Sequence, residues 1–287
     1  MLSVIISTYN CAEQVSACIG SVLRQEAAGT IEILVVDNAS RDLTPGLLKS
    51  RYPGVRLIEN SRNLGACHAR NQGIAASRGE WVLVLDCDTL LEDGFIREAM
   101  AHIRGLPDNA GIVQPKIMQA DGKTIYSTGI FVSRILRRFY DIGKGAADGK
   151  RGAAEKPLIG ACAAAAFLRR SMLEDVREET GYFDERFFFL VEDVDLACRA
   201  RLKGWKASYC PAAVCRHRGA SSGFDRALRQ YLCWRNRKMM LAKLPCGLLE
   251  RLVRSAWYEL PRAGALLVSN PYVRRQMIYQ RDPVSML

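Results

Sequence analysis

The 287-residue sequence has no apolar run long enough to cross a bilayer, which takes about 18 to 20 residues. Its longest uncharged apolar stretch, Leu158 to Leu168, is about half that length and rich in Ala and Gly. A secretory signal is also missing, because Met1-Leu2-Ser3 lacks a basic leader and the first apolar run ends at Tyr9-Asn10. Both absences predict a cytoplasmic protein, with any membrane contact peripheral and on the inner face of the plasma membrane. No internal repeat and no low-complexity linker break the chain. That leaves one large domain, or one domain with a smaller C-terminal extension. Acids are outnumbered, 30 against 41 lysines and arginines, for a net charge of +11. The excess calls for an anionic partner. No helix-turn-helix, finger or aromatic-rich sheet signature accompanies it, which argues against nucleic acid.

Cysteine is not scarce. The ten cysteines are scattered through strand-like and helical contexts, Cys18, Cys162 and Cys198 among them. They read as small buried hydrophobes in a reducing compartment rather than a disulfide framework. Cys210, Cys215 and His217 resemble zinc ligands, but no fourth ligand stands at a usual spacing. Apolar residues make up 49% of the chain, ample for a core.

The first half alternates strand and helix patterns. Ser3 to Ser7 is a short apolar run, and Asn10 with Glu13 resembles a capping box ahead of Val15, Cys18, Ile19, Val22 and Leu23 at helical spacing. Ile31 to Val36 reads as a buried strand, Thr44 to Ser50 as a polar helix and Val55 to Glu59 as a third strand. Gly65 to Ser77 is helical, and Trp81 to Leu85 is a fourth strand. This alternation predicts a mostly parallel sheet with helices on its faces, in which ligands collect beyond the carboxyl ends of the strands. Ser7-Thr8-Tyr9-Asn10, Asp37-Asn38 and Asp86-Cys87-Asp88 all fall there, so one crevice is expected. Farther on, Ile125 to Val132 reads as a strand, Gly143 to Gly152 as loop and Glu192 to Lys203 as a helix stopped by Gly204.

Asp86 and Asp88, one residue apart after an apolar strand, suit Mg²⁺ or Mn²⁺, which take carboxylate oxygens together with substrate phosphates. A solvated strand-ending turn is the alternative, weakened by Asp37 at a neighbouring strand end. Glu192-Asp193 opens a helix behind Phe187-Phe188-Phe189. The pair either caps the helix dipole or supplies a desolvated base; Asp195 is expected to be structural. His217 lies between Arg216 and Arg218, which should keep it neutral and able to bind metal or phosphate-bound water. Both arginines suit a diphosphate. His68 and His102 carry no assignment. From Asp225 to Arg262 basic residues interleave with Trp, Met and Leu. Such a helix either lies on an anionic membrane surface, over residues 223–262, or packs on the catalytic domain with its basic face solvated.

With these residues in view, the chain resembles glycosyltransferase family 2, in its rhamnosyltransferase-like branch, over roughly residues 2–245. The resemblance rests on Val4-Ile5-Ile6-Ser7-Thr8-Tyr9-Asn10, Val35-Val36-Asp37-Asn38-Ala39-Ser40, Asn63-Leu64-Gly65 with Ala69-Arg70-Asn71-Gln72-Gly73, and Leu85-Asp86-Cys87-Asp88. It continues through Gly181 to Phe188, Glu192 to Arg199 and Val214-Cys215-Arg216-His217. It implies an α/β GT-A fold and inverting transfer from a nucleoside-diphosphate sugar, dTDP- or UDP-linked, with rhamnose the leading sugar. The implied acceptor is a cell-surface glycan or a glycan linked to polyprenyl diphosphate. By the same resemblance Ser7 and Tyr9 contact the nucleoside, Asp37 the base, and Arg70 the base or diphosphate. Asp86, Cys87 and Asp88 form the Asp-x-Asp motif, with Asp88 the direct metal ligand joined by His217. Asp193 is the catalytic base, Glu192 supports it or holds the acceptor, and Gly160-Ala161 line the sugar site. Asp37-Asn38 departs from the two consecutive acids of many members, which leaves uridine against thymidine open. Residues 1–222 form the catalytic domain, with a nucleotide-sugar half (1–119) and an acceptor half (120–222); residues 223–287 form a basic helical extension. A sugar-phosphate nucleotidyltransferase would place a Gly-rich loop where Ser7 to Asn10 stand, and a catalytically silent binding module would not need Asp88, Asp193 and His217 together.

Overall fold

The computed structural model describes residues 1–26, 29–149, 157–219 and 223–279. The chain runs β1 (Leu2–Thr8), α1 (Ala12–Leu23), β2 (Ile31–Asp37), α2 (Thr44–Arg51), β3 (Arg56–Glu59), α3 (Gly65–Ala76), β4 (Trp81–Asp86) and β5 (Thr89–Leu91). Then come α4 (Phe95–Arg104), β6 (Ala110–Gln119), β7 (Ile125–Ser127), β8 (Ile130–Val132), β9 (Phe139–Asp141), β10 (Ala165–Arg169), α5 (Arg170–Val176), α6 (Glu192–Leu202) and β11 (Lys206–His217). Helices close the chain: α7 (Arg226–Lys243), α8 (Leu248–Arg254), a π turn (Ser255–Glu259), α9 (Leu260–Ser269) and α10 (Pro271–Tyr279).

The main sheet has the order β3-β2-β1-β4-β10-β6-β11-β5, with β7 paired to β6. β1 to β4 are parallel, as strands joined by helical crossovers must be, and β10 runs antiparallel between β4 and β6. Strand side chains alternate between two cores. Val4, Ile6, Leu83 and Leu85 pack with α1 and α4 on one face. Ile5, Val82 and Val84 pack with α3, α5 and α6 on the other.

Three local expectations are corrected. The Asn10–Glu13 capping box does not form: Asn10 accepts from the Arg41 N–H, and the start of α1 is satisfied by Asp42 of the loop after β2 and Thr44 at the start of α2. The strand expected over 125–132 divides at Gly129 (φ 134°) into β7 and β8. Helical spacing puts Leu202 on the face of α6 that carries Val194 and Cys198, but it is 55% exposed. The loop expected at 143–152 lies partly outside the described residues.

Residue 223 does not mark a break in packing. Met240 of α7 and Leu244 beyond it belong to the core that holds α5 and α6. Lys243 pairs with Asp184, Asp195 and Glu178, and Arg237, fully buried, meets Glu259 and the carbonyls of Leu136 and Arg137. The basic residues of α7 therefore face inward more than the sequence pattern implied.

Candidate active site

Parallel pairing brings the strand ends level: Ser7 stands opposite Asp86, and Thr8 opposite Asp37. Strand order reverses direction at β1, the place where an open α/β sheet leaves a crevice. A cavity of about 830 Å³ fills it. Ser7, Tyr9, Arg70, Asp86 and Cys87 line one side, as the sequence predicts. Thr8, placed at the same strand end but given no role of its own, lines it too, and its buried Oγ1 has no hydrogen-bond partner.

Antiparallel β5 folds back from Asp88 onto β11 and pairs Thr89 with His217. That pairing carries His217 to the Asp-x-Asp turn although some 130 residues separate them in the sequence. His217 Nε2 lies 3.1 Å from Asp88 Oδ1 and 3.8 Å from Asp86 Oδ2. The ligand atoms of Asp86, Asp88 and His217 lie within 4.8 Å of one another. Two hard carboxylates and an imidazole fit Mg²⁺ or Mn²⁺ with positions left for phosphate or water. Asp86 and His217 reach the cavity surface, whereas Asp88 is 4% exposed and lies beneath it. Cys87 points its thiol at Cys11. The expected lowering of the His217 pKa by its flanking arginines is corrected. Burial would lower its pKa, but the hydrogen bond to Asp88 and the charges of both aspartates raise it. The flanking arginines do not decide it: Arg216 faces away to Glu92 at 2.5 Å and, like Arg218, is absent from the cavity wall.

Cavity cations come instead from Arg70, Lys144, Arg226, Arg229 and Arg262. Arg70 is buried on α3, between Asp86 at 2.8 Å and Glu192. Burial disfavours its charge, but the two carboxylates more than reverse that and hold its pKa up. Glu192, expected to support the base or hold the acceptor, is thus tied to Arg70 through one oxygen, and Oε2 has no partner.

Asp193 lines the cavity beside Glu192. Its carboxylate accepts from the N–H of Ala163 at 3.3 Å and of Val194 at 2.8 Å, so both oxygens are oriented by backbone. Burial first, then the charges of Glu192 and Asp141, push it up to about 7, near the best value for a base at neutral pH. The segment before it is strained: Phe188, Leu190 and Val191 all hold positive φ, unusual for any of them and most of all for a β-branched valine. Asn236 of α7 clamps this segment by donating to the carbonyls of Phe187, Phe189 and Leu190 at 3.0, 2.8 and 2.7 Å. Gly65 is required there, because a Cβ would sit 2.6 Å from both the ring and the carbonyl of Phe188.

Other predicted residues fall differently. Asp37 is buried, and its carboxylate is occupied by the N–H and hydroxyl of Ser40; the cavity wall beside it is Asn38, which donates to Asn63. Burial raises Asp37's pKa, with the Ser40 bonds opposing. Gly160 and Ala161 are also set back. A Cβ at Gly160 would lie 2.2 Å from that of Ala197 on α6, so the glycine serves close packing, and Cys162, Ala163 and Ala164 form the wall. His68 and His102 bond Glu185 and Ser208, and neither lines the cavity.

Against this geometry stand the comparisons with known proteins. A family model described as Glycosyl transferase family 2 matches residues 3–177. The chain is 30% identical over 220 residues to the N-acetylglucosaminyl-diphospho-decaprenol L-rhamnosyltransferase of Mycobacterium tuberculosis, covering 69% of this chain and 70% of that one. It is 34% identical over 122 residues to the succinoglycan biosynthesis protein ExoO of Rhizobium meliloti, 42% of this chain but only 35% of ExoO. Among solved structures, the mannosyltransferase PcManGT from Pyrobaculum calidifontis, in complex with GDP-Man and Mn²⁺, superposes with a TM-score of 0.62 at 19% identity, over 93% of this chain and 74% of that one. S. aureus TarS 1-349 gives 0.59 at 17%, over 99% and 74%. The architecture is the GT-A fold.

Proposed function

The chain belongs to glycosyl transferase family 2, and from that premise we propose that it is an inverting, metal-dependent transferase that moves a sugar from a nucleoside diphosphate to a glycan hydroxyl. One observation carries the mechanism. Asp193, its pKa pushed up to about 7, shares a cavity with the Asp86–Asp88–His217 cluster. Proton removal and charge at the leaving group thereby acquire separate residues of one cavity.

Asp193 takes the proton of the acceptor hydroxyl while that oxygen attacks the anomeric carbon and the bond to the diphosphate breaks, a single displacement with inversion. The N–H groups of Ala163 and Val194 hold the carboxylate in position for it. Asp86, Asp88 and His217 would hold Mg²⁺ or Mn²⁺, which when bound neutralises charge on the departing diphosphate. Ser7, Thr8 and Tyr9 at the end of β1 serve the nucleoside, with Asn38 beside them in place of the buried Asp37. Glu192 holds Arg70, and through it the position of Asp86, rather than touching the sugar.

Rhamnose from a dTDP- or UDP-linked donor, and an acceptor carried on polyprenyl diphosphate, are supported by the mycobacterial relative, whose name states both that sugar and that kind of carrier. Donor use by structural neighbours differs: TarS has been solved with UDP-GlcNAc and PcManGT with GDP-Man. A thermal-shift panel of nucleotide sugars with Mn²⁺ tests the reading. dTDP- or UDP-rhamnose should stabilise most. A larger shift with GDP-mannose would overturn the sugar, and no shift with any donor would overturn the transferase.

A further inference from the structure

α8, the π turn and α9 form one continuous helical rod, Leu248 to Ser269, about 33 Å long. Its amphipathicity is inverted. Glu250 turns inward to Arg137 at 2.7 Å, Glu259 to the buried Arg237, and Arg254 is itself buried. The outward face carries Leu249, Leu252, Trp257, Leu260 and Val268, with Trp257 and Val268 each 78% exposed. No exposed residue between Leu252 and Ser269 is charged. A helix facing only water shows the reverse arrangement, and an apolar strip of this length marks an interaction surface.

Charge selects the occupant. Between Asp225 and Tyr279 the chain has three acids against eleven arginines and lysines. Glu250 and Glu259 are taken by Arg137 and Arg237, and Asp225 caps α7 and accepts from Tyr272. Arg251 flanks the strip, and Arg274 and Arg275 of α10 are exposed. A second copy of a chain with net charge +11 would bring these cations together; an anionic lipid surface would neutralise them. Among the described residues no helix is long and apolar enough to cross a membrane. We propose that the Leu248–Ser269 rod lies in the interface of an anionic membrane, its Leu and Trp side chains among the acyl chains and the neighbouring arginines at the headgroups. Arg262 of the same rod lines the cavity, so the site borders this surface. The inference is independent of the transferase reading, since vesicle binding needs no donor.

The test is sedimentation of the full chain with phosphatidylcholine vesicles, alone or with about 30% phosphatidylglycerol, and with the Leu252→Asp/Leu260→Asp double variant. The phosphatidylglycerol vesicles should bind the wild-type chain and not pure phosphatidylcholine, with binding weakened by high salt. The variant should bind more than tenfold more weakly. Tryptophan emission should shift to the blue on binding and lose that shift in Trp257→Phe, because Trp81 and Trp234 are already buried and the half-buried Trp205 packs on the core of α5 and α6 and donates to Asp175. Circular dichroism and the donor-induced thermal shift should match wild type in both variants, since none of the three residues lines the cavity. Vesicle binding that is absent, or equal in the double variant, overturns the proposal. So does a wild-type dimer that ignores vesicles and dissociates in the variant, which would assign the face to a second copy.

Discussion

Arg70 Nη2 donates to Asp86 Oδ1 at 2.8 Å, and the same guanidinium grips Glu192, so a single side chain of α3 joins the end of β4 to the start of α6. Asp86 and the helix that presents Asp193 are thereby set in register by a residue buried between them. Arg70→Met should leave Glu192 buried without its cation and lower stability by about 3–5 kcal/mol, read as a fall in denaturation midpoint. Arg70→Lys should recover only part, because a single ammonium cannot reproduce the two-sided fork.

Asp193→Asn should cut kcat by about 10²–10⁴-fold while leaving donor affinity intact, measured by turnover beside calorimetric titration of the donor. Only the deprotonated carboxylate accepts a proton. With its pKa pushed up to about 7, wild-type kcat/KM should climb as pH rises through that value and then level off. The same shift affects stability. A carboxyl whose pKa is higher folded than unfolded stabilises the fold at low pH and loses that contribution as pH rises to about 7. The donor-free Asn variant should therefore melt higher than wild type at pH 8, and a lower melting point would count against burial as the cause.

The metal assignment has a readout apart from turnover. Asp88→Asn and His217→Ala should each weaken Mn²⁺ binding at least about tenfold, since even outer partners of metal ligands cost that much. Electron paramagnetic resonance of free Mn²⁺ reports it directly. Cys215→Ala should leave Mn²⁺ affinity unchanged, because that sulfur is sealed in the core under the sheet.

Asn236→Ala should uncouple the strained loop from α7. Three carbonyls lose a donor in a buried setting, and each can cost about 1–3 kcal/mol if no water replaces it. The expected signature is a fall in kcat larger than any change in donor affinity, with faster amide exchange confined to residues 187–191. Uniformly faster exchange would make Asn236 a general packing residue instead.

Much of the nucleotide-side site was legible in order along the chain. The β-branched runs ending at Thr8, Asp37 and Asp86 are strands because their side chains are buried on both faces, and parallel strands linked by helices must end on one edge. Ser7, Tyr9, Arg70, Asp86 and Asp193 accordingly meet in one cavity. Local spacing also placed α6 with its two acids at the N-terminus. What sequence alone determined was thus the set of elements and the edge on which the chemistry collects, since both follow from short-range periodicity and steric rules. Tertiary structure decided which side chains are free to act there. Asp37 is consumed by Ser40, Glu192 by Arg70 and Arg216 by Glu92, while Asn236 and Arg262 arrive from helices whose inward faces no local pattern disclosed. It also inverted the reading of the C-terminal helices, burying Arg235 and Arg237 of α7 and turning the leucines of α8 and α9 outward. A helix's pattern states that it has two faces; only the charges and carbonyls it meets, Arg137 and Arg237 here, fix which one turns to the protein.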